Sequence, residues 1–318
     1  RRVAALLYYD PLFMTASNSA IIASLDRPVV VVAHDAGASN HIAYLLGGKP
    51  ISGIHGSFSG PALEIMSKIC PWLENRPLLP SLENSAVLLS GTSWASHLEH
   101  NARTVGKAHG CRLIAVLDHW SDYRVRFSAS GCEVLPDELW VFDNHAEHLA
   151  QQAFPGISVV KLHNDYLAST LSQVTNITPN TQNNVLYLLE PLRSSSSLYP
   201  QSDEFTALDF FIRHRSLVGI SQDAPIRLRP HPSDPPGKYL PWLASQCSAD
   251  VSLDQSTSLA EAISRSGTVV GCQTYAMVVA LAAGRKVISS LPPDMPPSIL
   301  PHKDIVSLAS IINLHDIN

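Results

Sequence analysis

The chain has 318 residues, of which 45% are hydrophobic and 15% charged, with a formal net charge of −5. This hydrophobic share excludes a disordered chain, because enough apolar surface exists to offset the entropy lost on folding. The negative charge argues against a nucleic-acid partner, since a general nucleic-acid binder needs a basic surface to neutralise phosphates. At about 150 residues per domain, the length predicts two domains.

The cysteines and the apolar runs bear on where the chain works. Five cysteines are present and none belongs to a CxxC pair: Cys70, Cys111, Cys132, Cys247 and Cys272. Scattered cysteines in an odd number indicate a reducing compartment rather than a disulfide framework. The apolar runs are strand-sized, well short of the ~20 residues that a membrane span needs. We therefore expect a cytoplasmic protein, with peripheral association at the inner face of a membrane left open.

Short apolar runs rich in β-branched residues recur in the first half of the chain, each followed by a polar turn. They predict strands at residues 29–33, 86–90, 113–117, 139–142 and 159–162. Runs that are apolar on both faces are typical of strands buried in a parallel sheet. Segments 95–108 and 146–153, which lie between them, have helical spacing. This alternation predicts βαβ units in a doubly wound sheet.

The same alternation restarts after a polar segment at 172–184, which we interpret as a linker. Strands are predicted at 185–189, 226–229, 268–271 and 286–289, and helices at 203–213, 258–264 and 275–283. Gly284 is predicted to end the last of these helices with a positive φ angle. The sequence thus predicts an α/β protein with two Rossmann-like domains, at 1–171 and 185–318, that face a cleft.

The residues that follow the predicted strands are unusually polar. They are His34, Asp35, Thr92, Ser93, Asp118, His119, Glu190, His231, Gln273 and Thr274. In open α/β sheets, ligands bind outside the carboxyl ends of the strands. We therefore expect these side chains to surround one crevice.

The segment 229–232, Arg-Pro-His-Pro, is the most informative of these turns. A guanidinium fork at Arg229 and an imidazole donor at His231 suit a phosphate group. The two prolines, including Pro232, stiffen the turn that carries the histidine. The alternative interpretation is an ordinary surface turn with strand-edge arginines.

A second phosphate site is predicted where the strand at 268–271 leads into the helix at 275–283. Helix N-termini carry unpaired N–H groups and a partial positive charge, which attract anions. Gln273 and Thr274 lie at this turn, and the alternative role for Thr274 is to cap the helix. Ser258 is another candidate cap, with Glu261 in a capping-box position three residues later.

Two further turns in the first half carry reactive groups. Segment 34–37 places an imidazole and a carboxylate after the first strand; the alternative is that Asp35 or Ser39 caps the next helix. The loop at 117–127 is dense in polar and aromatic groups, and such loops usually bind a ligand. Its alternative interpretation is a salt-bridged surface loop. The candidate ligand contacts in it are Asp118, His119, Asp122 and Arg124.

The common metal and nucleotide motifs are absent from the sequence. It contains no GxGxxG, no Walker A segment and no HExxH, and the pair His97 and His100 lacks a third ligand nearby. We therefore expect no metal and no cofactor.

The second half of the sequence resembles a glycosyltransferase of the GT-B fold. The resemblance lies in segment 229–232 and in the stretch from Ser258 through Gln273 and Thr274 to Ile288. The latter is similar to the donor-binding "strand, small turn, Ser/Thr, helix" region of such enzymes. The His-Pro pair is similar to a motif of bacterial sialyltransferases and Kdo transferases, which there binds the phosphate of a CMP-sugar.

The resemblance implies transfer of a nonulosonic or Kdo-type acid from a CMP-sugar to a glycan, lipid-linked or protein acceptor, without a metal. A carboxylate would take the acceptor proton. Asp35 of the first domain is the first candidate, Asp118 of the same domain is the second, and Glu190, in the first turn of the second domain, is the third. Alternatively, Glu190 would hold the nucleotide. His231 would also be catalytic, because it would stabilise the charge that grows on the leaving phosphate. The implied donor contacts are Arg229, His231, Pro232, Gln273, Thr274, Glu190 and Ser258. The implied acceptor contacts are His34, His119, Asp122 and Arg124.

Other functions compete for the same signals. One is a nucleotide-sugar epimerase or hydrolase of the same architecture, and another is a phosphotransferase that uses CDP-glycerol-type donors. A protein that binds a sugar or nucleotide without catalysis is the alternative outside the enzymes.

Overall fold

The computed structural model describes residues 18–93, 96–192, 203–232, 234–246 and 250–315. The chain divides into two compact units. The first unit extends to Asp165 but leaves out His119–Ser121; the second unit comprises His119–Ser121 and the chain from Tyr166 onward. Each unit contains a six-stranded parallel sheet.

The first unit has eight strands among the described residues. They are β1 (Val29–Ala33), β2 (Ile54–Phe58), β3 (Val87–Ser90), β4 (Arg112–Val116), β5 (Ser128–Ala129), β6 (Cys132–Glu133), β7 (Glu138–Val141) and β8 (Ser158–Lys161). The sheet order is β2-β1-β3-β4-β7-β8, and β5 and β6 pair separately as a short antiparallel hairpin. The helices are α1 (Asn18–Ser24), α2 (Ala36–Leu46), α3 (Pro61–Ile69), α4 (Leu78–Leu82), α5 (Leu98–Ala108) and α6 (Asn144–Ala153).

Strand β1 shows why this half of the sequence forms a layered sheet. Its four consecutive valines are all 0% exposed. Val29 and Val31 belong to one hydrophobic cluster, while Val30 and Val32 belong to the cluster on the opposite face. Alternate side chains of a strand point to opposite faces, so an unbroken valine run requires helices on both sides. Full burial of one such side chain contributes about 1.5–3 kcal/mol.

The second unit repeats this plan. After α7 (Asp165–Gln173), its strands are β9 (Val185–Leu188), β10 (Ile226–Arg229), β11 (Val251–Leu253), β12 (Thr268–Gly271), β13 (Lys286–Ser289) and β14 (Val306–Ser307). The sheet order is β11-β10-β9-β12-β13-β14. The helices are α8 (Glu204–His214), α9 (Leu240–Ser245), α10 (Leu259–Ser264), α11 (Tyr275–Ala282) and α12 (Leu308–His315).

All nine predicted strands are present, each within one residue of its predicted ends. The predicted helix at 95–108 begins at Leu98, and Ala95 lies outside the described residues. Gly284 has a φ angle of +72°, as the prediction that it ends α11 requires. Strand β2 was not predicted, because Ile54-His-Gly-Ser-Phe58 is polar at its centre. It forms beside β1, and Gly56 leaves the space that the Phe58 ring fills.

In both sheets, the side on which the chain adds its next strand changes at an equivalent place. In the first unit the chain passes from β1 to β2 on one side and then to β3 on the other, and in the second it passes from β9 to β10 and β11 and then to β12. The gap between the carboxyl ends of β1 and β3, or of β9 and β12, is a topological switch point, where doubly wound sheets bind ligands. We call these the first and the second switch point.

Candidate functional site

The second switch point is built around Glu190. This residue follows β9, and its Oε2 accepts a hydrogen bond of 2.9 Å from the backbone N–H of Gln273, which follows β12. Burial raises the pKa of Glu190 to about 7, and the Gln273 N–H opposes that rise. The carboxyl group at the second switch point therefore changes its charge near neutral pH.

Helix α11 begins beside this carboxyl group. Thr274 occupies its N-cap position with extended backbone (φ −75°, ψ 149°), but its side chain makes no capping hydrogen bond. The first N–H groups of a helix have no partner within the helix. The capping alternative for Thr274 is thus not what the structure shows, and the start of α11 has the features of an anion site.

Aromatic rings surround the first residue of α11. Tyr275 stacks on Trp120 at a centroid distance of 5.8 Å and on Tyr166 at 5.9 Å. His302 meets the Trp120 ring edge-on at 5.2 Å. The ring nitrogen Nε2 of His119 lies 3.3 Å from the carbonyl oxygen of Gln273. His119 was predicted to contact the acceptor; the structure places it within the second unit, beside a residue predicted to contact the donor.

Arg229 is already engaged by the protein. Its Nη1 donates to Asp254 Oδ2 at 2.5 Å and to the carbonyl of Ser256 at 3.1 Å. The Asp254 side chain is 6% exposed, so this ion pair is largely shielded from water. A phosphate that bound Arg229 would have to share the guanidinium with the Asp254 carboxylate. The residues of segment 229–232 gave no indication of this ion pair.

A buried aspartate fixes the turn that carries His231. Asp234 accepts hydrogen bonds from the His231 backbone N–H at 3.0 Å, from the Tyr239 hydroxyl at 2.9 Å and from Lys238 Nζ at 2.7 Å. Lys238 also pairs with Glu204 at the start of α8. Pro232 is exposed. The prolines are therefore only part of what holds this turn; the sequence reasoning missed Asp234.

Ser258 has the capping role that the sequence offered as one interpretation. Its Oγ accepts the N–H of Glu261 at 3.1 Å, at the N-cap of α10. Glu261 in turn accepts the backbone N–H of Thr257 at 2.8 Å. The structural role predicted for Glu261 is confirmed, although the N–H that it accepts belongs to Thr257 rather than to the cap residue.

The first switch point brings an imidazole and a carboxylate together. Nδ1 of His34 lies 2.7 Å from Oδ1 of Asp35. Asp35 stands at the N-cap position of α2 without a side-chain cap bond, and the Ser39 hydroxyl donates to the Asp35 carbonyl. The capping alternative for both residues is therefore wrong. A carboxylate on Nδ1 fixes the tautomer that leaves the lone pair of His34 on Nε2.

Two glycines leave the space for acidic and basic side chains here. A Cβ atom on Gly60 would lie 2.6 Å from His34 Nε2, and one on Gly37 would collide with the carboxylate of Asp118. Asp118 also forms an ion pair of 3.5 Å with Arg126, which donates to the carbonyl of Thr92. Asp118 thus already holds a guanidinium, whereas Asp35 orients an imidazole.

The remaining predicted acceptor contacts lie on the surface of the loop. Asp122 is exposed, with a φ angle of +56°. Arg124 pairs with Glu133 at 3.3 Å, and its side chain is 58% exposed. For Arg124 the salt-bridged surface interpretation is the one that describes the structure.

The described part of the chain offers neither a metal centre nor a membrane-spanning helix. No group of three or more His, Cys, Asp or Glu side chains there is arranged to hold a metal ion. None of the described helices has both the length and the apolar character that would let it span a membrane.

Comparison with known proteins identifies the fold. No protein-family model and no curated protein matches the sequence. Among solved structures, MnaA of S. aureus with UDP is 12% identical, with a TM-score of 0.56 over 83% of this chain and 79% of that one. A UDP-GlcNAc 2-epimerase from Neisseria meningitidis, bound to UDP-GlcNAc, is 11% identical, with a TM-score of 0.55 over 91% and 90%. The chain therefore has the GT-B fold, with two Rossmann-like units.

Proposed function

We propose that this chain is an enzyme that uses a nucleotide-sugar, and specifically a glycosyltransferase. The observation that carries the proposal is the second switch point. There the Glu190 carboxyl group, whose Oε2 accepts the Gln273 N–H, adjoins a helix start that Thr274 does not cap. This combination offers a hydrogen-bond acceptor for sugar hydroxyls next to N–H donors for phosphate. The two similar structures contain UDP and UDP-GlcNAc, and each of these ligands carries sugar hydroxyls and phosphate groups.

In this proposal the second switch point binds the donor. The phosphate oxygens lie at the first N–H groups of α11, where the Thr274 hydroxyl adds a further donor. When the bond between the anomeric carbon and the phosphate oxygen breaks, that oxygen keeps the electron pair and the charge on phosphate grows. Donors preorganised around this oxygen stabilise the charge.

The first switch point supplies the base. The hydrogen bond from His34 to Asp35 moves the role of base from Asp35, the first candidate of the sequence analysis, to Nε2 of His34. As the acceptor oxygen forms its bond to the anomeric carbon, His34 takes the hydroxyl proton and Asp35 stabilises the resulting imidazolium. Asp118, which is paired with Arg126, has a structural role in this scheme.

Calorimetry with free nucleotides tests the proposal. We expect one of UDP, CDP and CMP to bind with a dissociation constant below 1 mM, which corresponds to about −4 kcal/mol. CMP would favour the sialyl- or Kdo-type donor that the resemblance implies, CDP a glycerol-phosphate-type donor, and UDP a hexose donor. Weaker binding by Glu190→Gln but not by the exposed Asp223→Asn would support the site. If none of the three nucleotides binds, the proposal is wrong.

A UDP-sugar 2-epimerase is the second candidate, because one of the two similar structures is such an enzyme. An epimerase that inverts a ring carbon must remove a proton from one face and return one to the other, whereas transfer needs a single base. Product analysis separates the two functions. An epimerase converts a UDP-sugar with no acceptor present, and a transferase releases sugar only to an acceptor.

A further inference from the structure

We infer that Glu99 is a positioning residue for His34, an inference that rests on the proposed role of His34 as the base. Glu99 lies in the first turn of α5, 65 residues away in sequence, and its Oε1 accepts the backbone N–H of His34 at 2.8 Å. The residue is 1% exposed, so water does not compete for this hydrogen bond. The bond fixes the backbone of the residue whose side chain would take the proton.

The same carboxylate lies against the turn after β3. A Cβ atom on Gly91 would approach Glu99 Oε1 to 3.2 Å and the Cβ of Ala38 to 3.0 Å. Glycine at position 91 therefore leaves room for the carboxylate to reach His34. Since β1 and β3 border the first switch point, Glu99 contacts both of the turns that form it.

Arg103, on the same helix, holds the turn after β3. It lies four residues after Glu99 on α5 and is also 1% exposed. Its guanidinium donates to Ser90 Oγ at 3.2 Å, to the Gly91 carbonyl at 3.0 Å and to the Arg126 carbonyl at 3.2 Å. The buried face of α5 thus carries one acceptor for the turn after β1 and one donor group for the turn after β3.

The second carboxylate oxygen of Glu99 has no hydrogen-bond partner among the residues described here. A buried carboxylate oxygen without a hydrogen-bond partner costs free energy, and such groups in native proteins often have a functional role. Burial raises the pKa of Glu99 to about 7. The backbone N–H groups of Glu99 itself and of His34 oppose this rise. Of the facing charges, Asp35 raises the pKa further and Arg103 lowers it. Deprotonation near neutral pH makes Glu99 a stronger acceptor, and hence tightens its hold on His34.

Nuclear magnetic resonance of protein labelled with ¹⁵N-histidine tests the contact without any activity assay. The His34 amide is assigned by its loss in His34→Gln. We expect its proton resonance to move downfield with a midpoint near pH 7, in addition to any step that the imidazole of the same residue shows. Glu99→Gln should remove that step, and Glu64→Gln, an exposed glutamate in the first turn of α3, should keep it.

Turnover gives the second readout. Glu99→Ala leaves the His34 N–H without an acceptor, so we expect kcat to fall at least tenfold with KM nearly unchanged. Glu99→Gln keeps an oxygen acceptor and should restore most of kcat while flattening the pH profile around 7. An amide that does not titrate in the wild-type protein, or an equal loss in both variants, would overturn the inference. An amide that behaves as expected in a protein without turnover would instead contradict the proposed function.

Discussion

At the scale of single residues, the two switch points share a feature that the sequence does not reveal. Each has a glutamate, buried at Glu99 and half-buried at Glu190, that accepts a backbone N–H. Glu99 serves His34, and Glu190 serves Gln273. Burial raises the pKa of both to about 7. Carboxyl groups with raised pKa values are concentrated at ligand-binding and catalytic sites. Burial there shifts the pKa of an acid or base toward the value that its task needs.

Glu190 makes the stability of the protein depend on pH. Its folded-state pKa, about 7, is above the usual 4.5, so the folded state holds the proton more tightly than the unfolded chain. The carboxyl group's contribution to stability is therefore full below pH 4.5 and is lost as pH rises to 7, a change on the order of 3 kcal/mol. We expect Glu190→Gln to gain stability relative to wild type between pH 5 and pH 8, measured by urea unfolding. Asp223→Asn is the exposed control, and a difference independent of pH would contradict this account.

Gly60 offers a test of the geometry around His34. Its φ angle is +56°, and a Cβ atom there would lie 2.6 Å from His34 Nε2. Its ψ angle of −145° lies outside the left-handed helical region, in a conformation almost confined to glycine. Gly60→Ala should therefore cost about 1–3 kcal/mol of backbone strain and also displace the imidazole. Gly110→Ala is the matched control, because Gly110 has a φ angle of +77° and no atom within 4 Å of the added methyl group. We expect both variants to lose stability, Gly60→Ala more than Gly110→Ala, and turnover to fall tenfold or more in Gly60→Ala alone. Equal turnover in the two variants would contradict the placement of His34.

At the scale of elements, two helices of the second unit differ at their first turns: a side chain caps one helix and not the other. This difference allows a role in ligand binding to be tested separately from a role in helix capping. Ser258 caps α10 through Oγ, whereas Thr274 at the start of α11 makes no side-chain cap bond. Ser258→Ala should lower the free energy of unfolding by about 1 kcal/mol and leave nucleotide binding unchanged. Thr274→Ala should change stability by less than about 0.5 kcal/mol and weaken nucleotide binding several-fold. Urea unfolding and calorimetry measure both quantities, and the reverse pattern would make Thr274 a structural residue.

The elements also show how far sequence reasoning reaches. Strands with unbroken apolar runs, such as β1 and β9, were predictable because burial on both faces leaves a local signal. The edge strands β2, β11 and β14 were not, since β2 depends on pairing with β1 and on space at Gly56 rather than on its own composition. The rule for strand ends led to Glu190 and Gln273. It missed Glu99, because a helix residue 65 positions from His34 gives no local sign of the contact.

At the scale of the whole molecule, both units carry the same arrangement of a reversed sheet and a polar switch point. This likeness means that topology alone does not decide which unit takes the nucleotide. The chemistry differs: the second switch point has an uncapped helix start, and the first has a His–Asp pair in which Asp35 carries no cap bond. An uncapped helix start favours the binding of an anion. A His–Asp pair is suited to accept the proton of a hydroxyl group.

Hydrogen exchange with nucleotide bound tests this division. When the nucleotide identified by calorimetry is added alone, we expect slower exchange at residues 189–190 and 272–278, because the nucleotide contacts Glu190 and its phosphate engages the N–H groups that begin α11. The amides at 34–38 and 91–93 of the first switch point should be unchanged, since no acceptor is present to occupy it. Thr274→Ala should reduce the protection at 272–278 at equal nucleotide concentration, and Ser258→Ala should not. Protection that is greatest at 34–38 would place the donor on the first unit and reverse the roles of the two switch points.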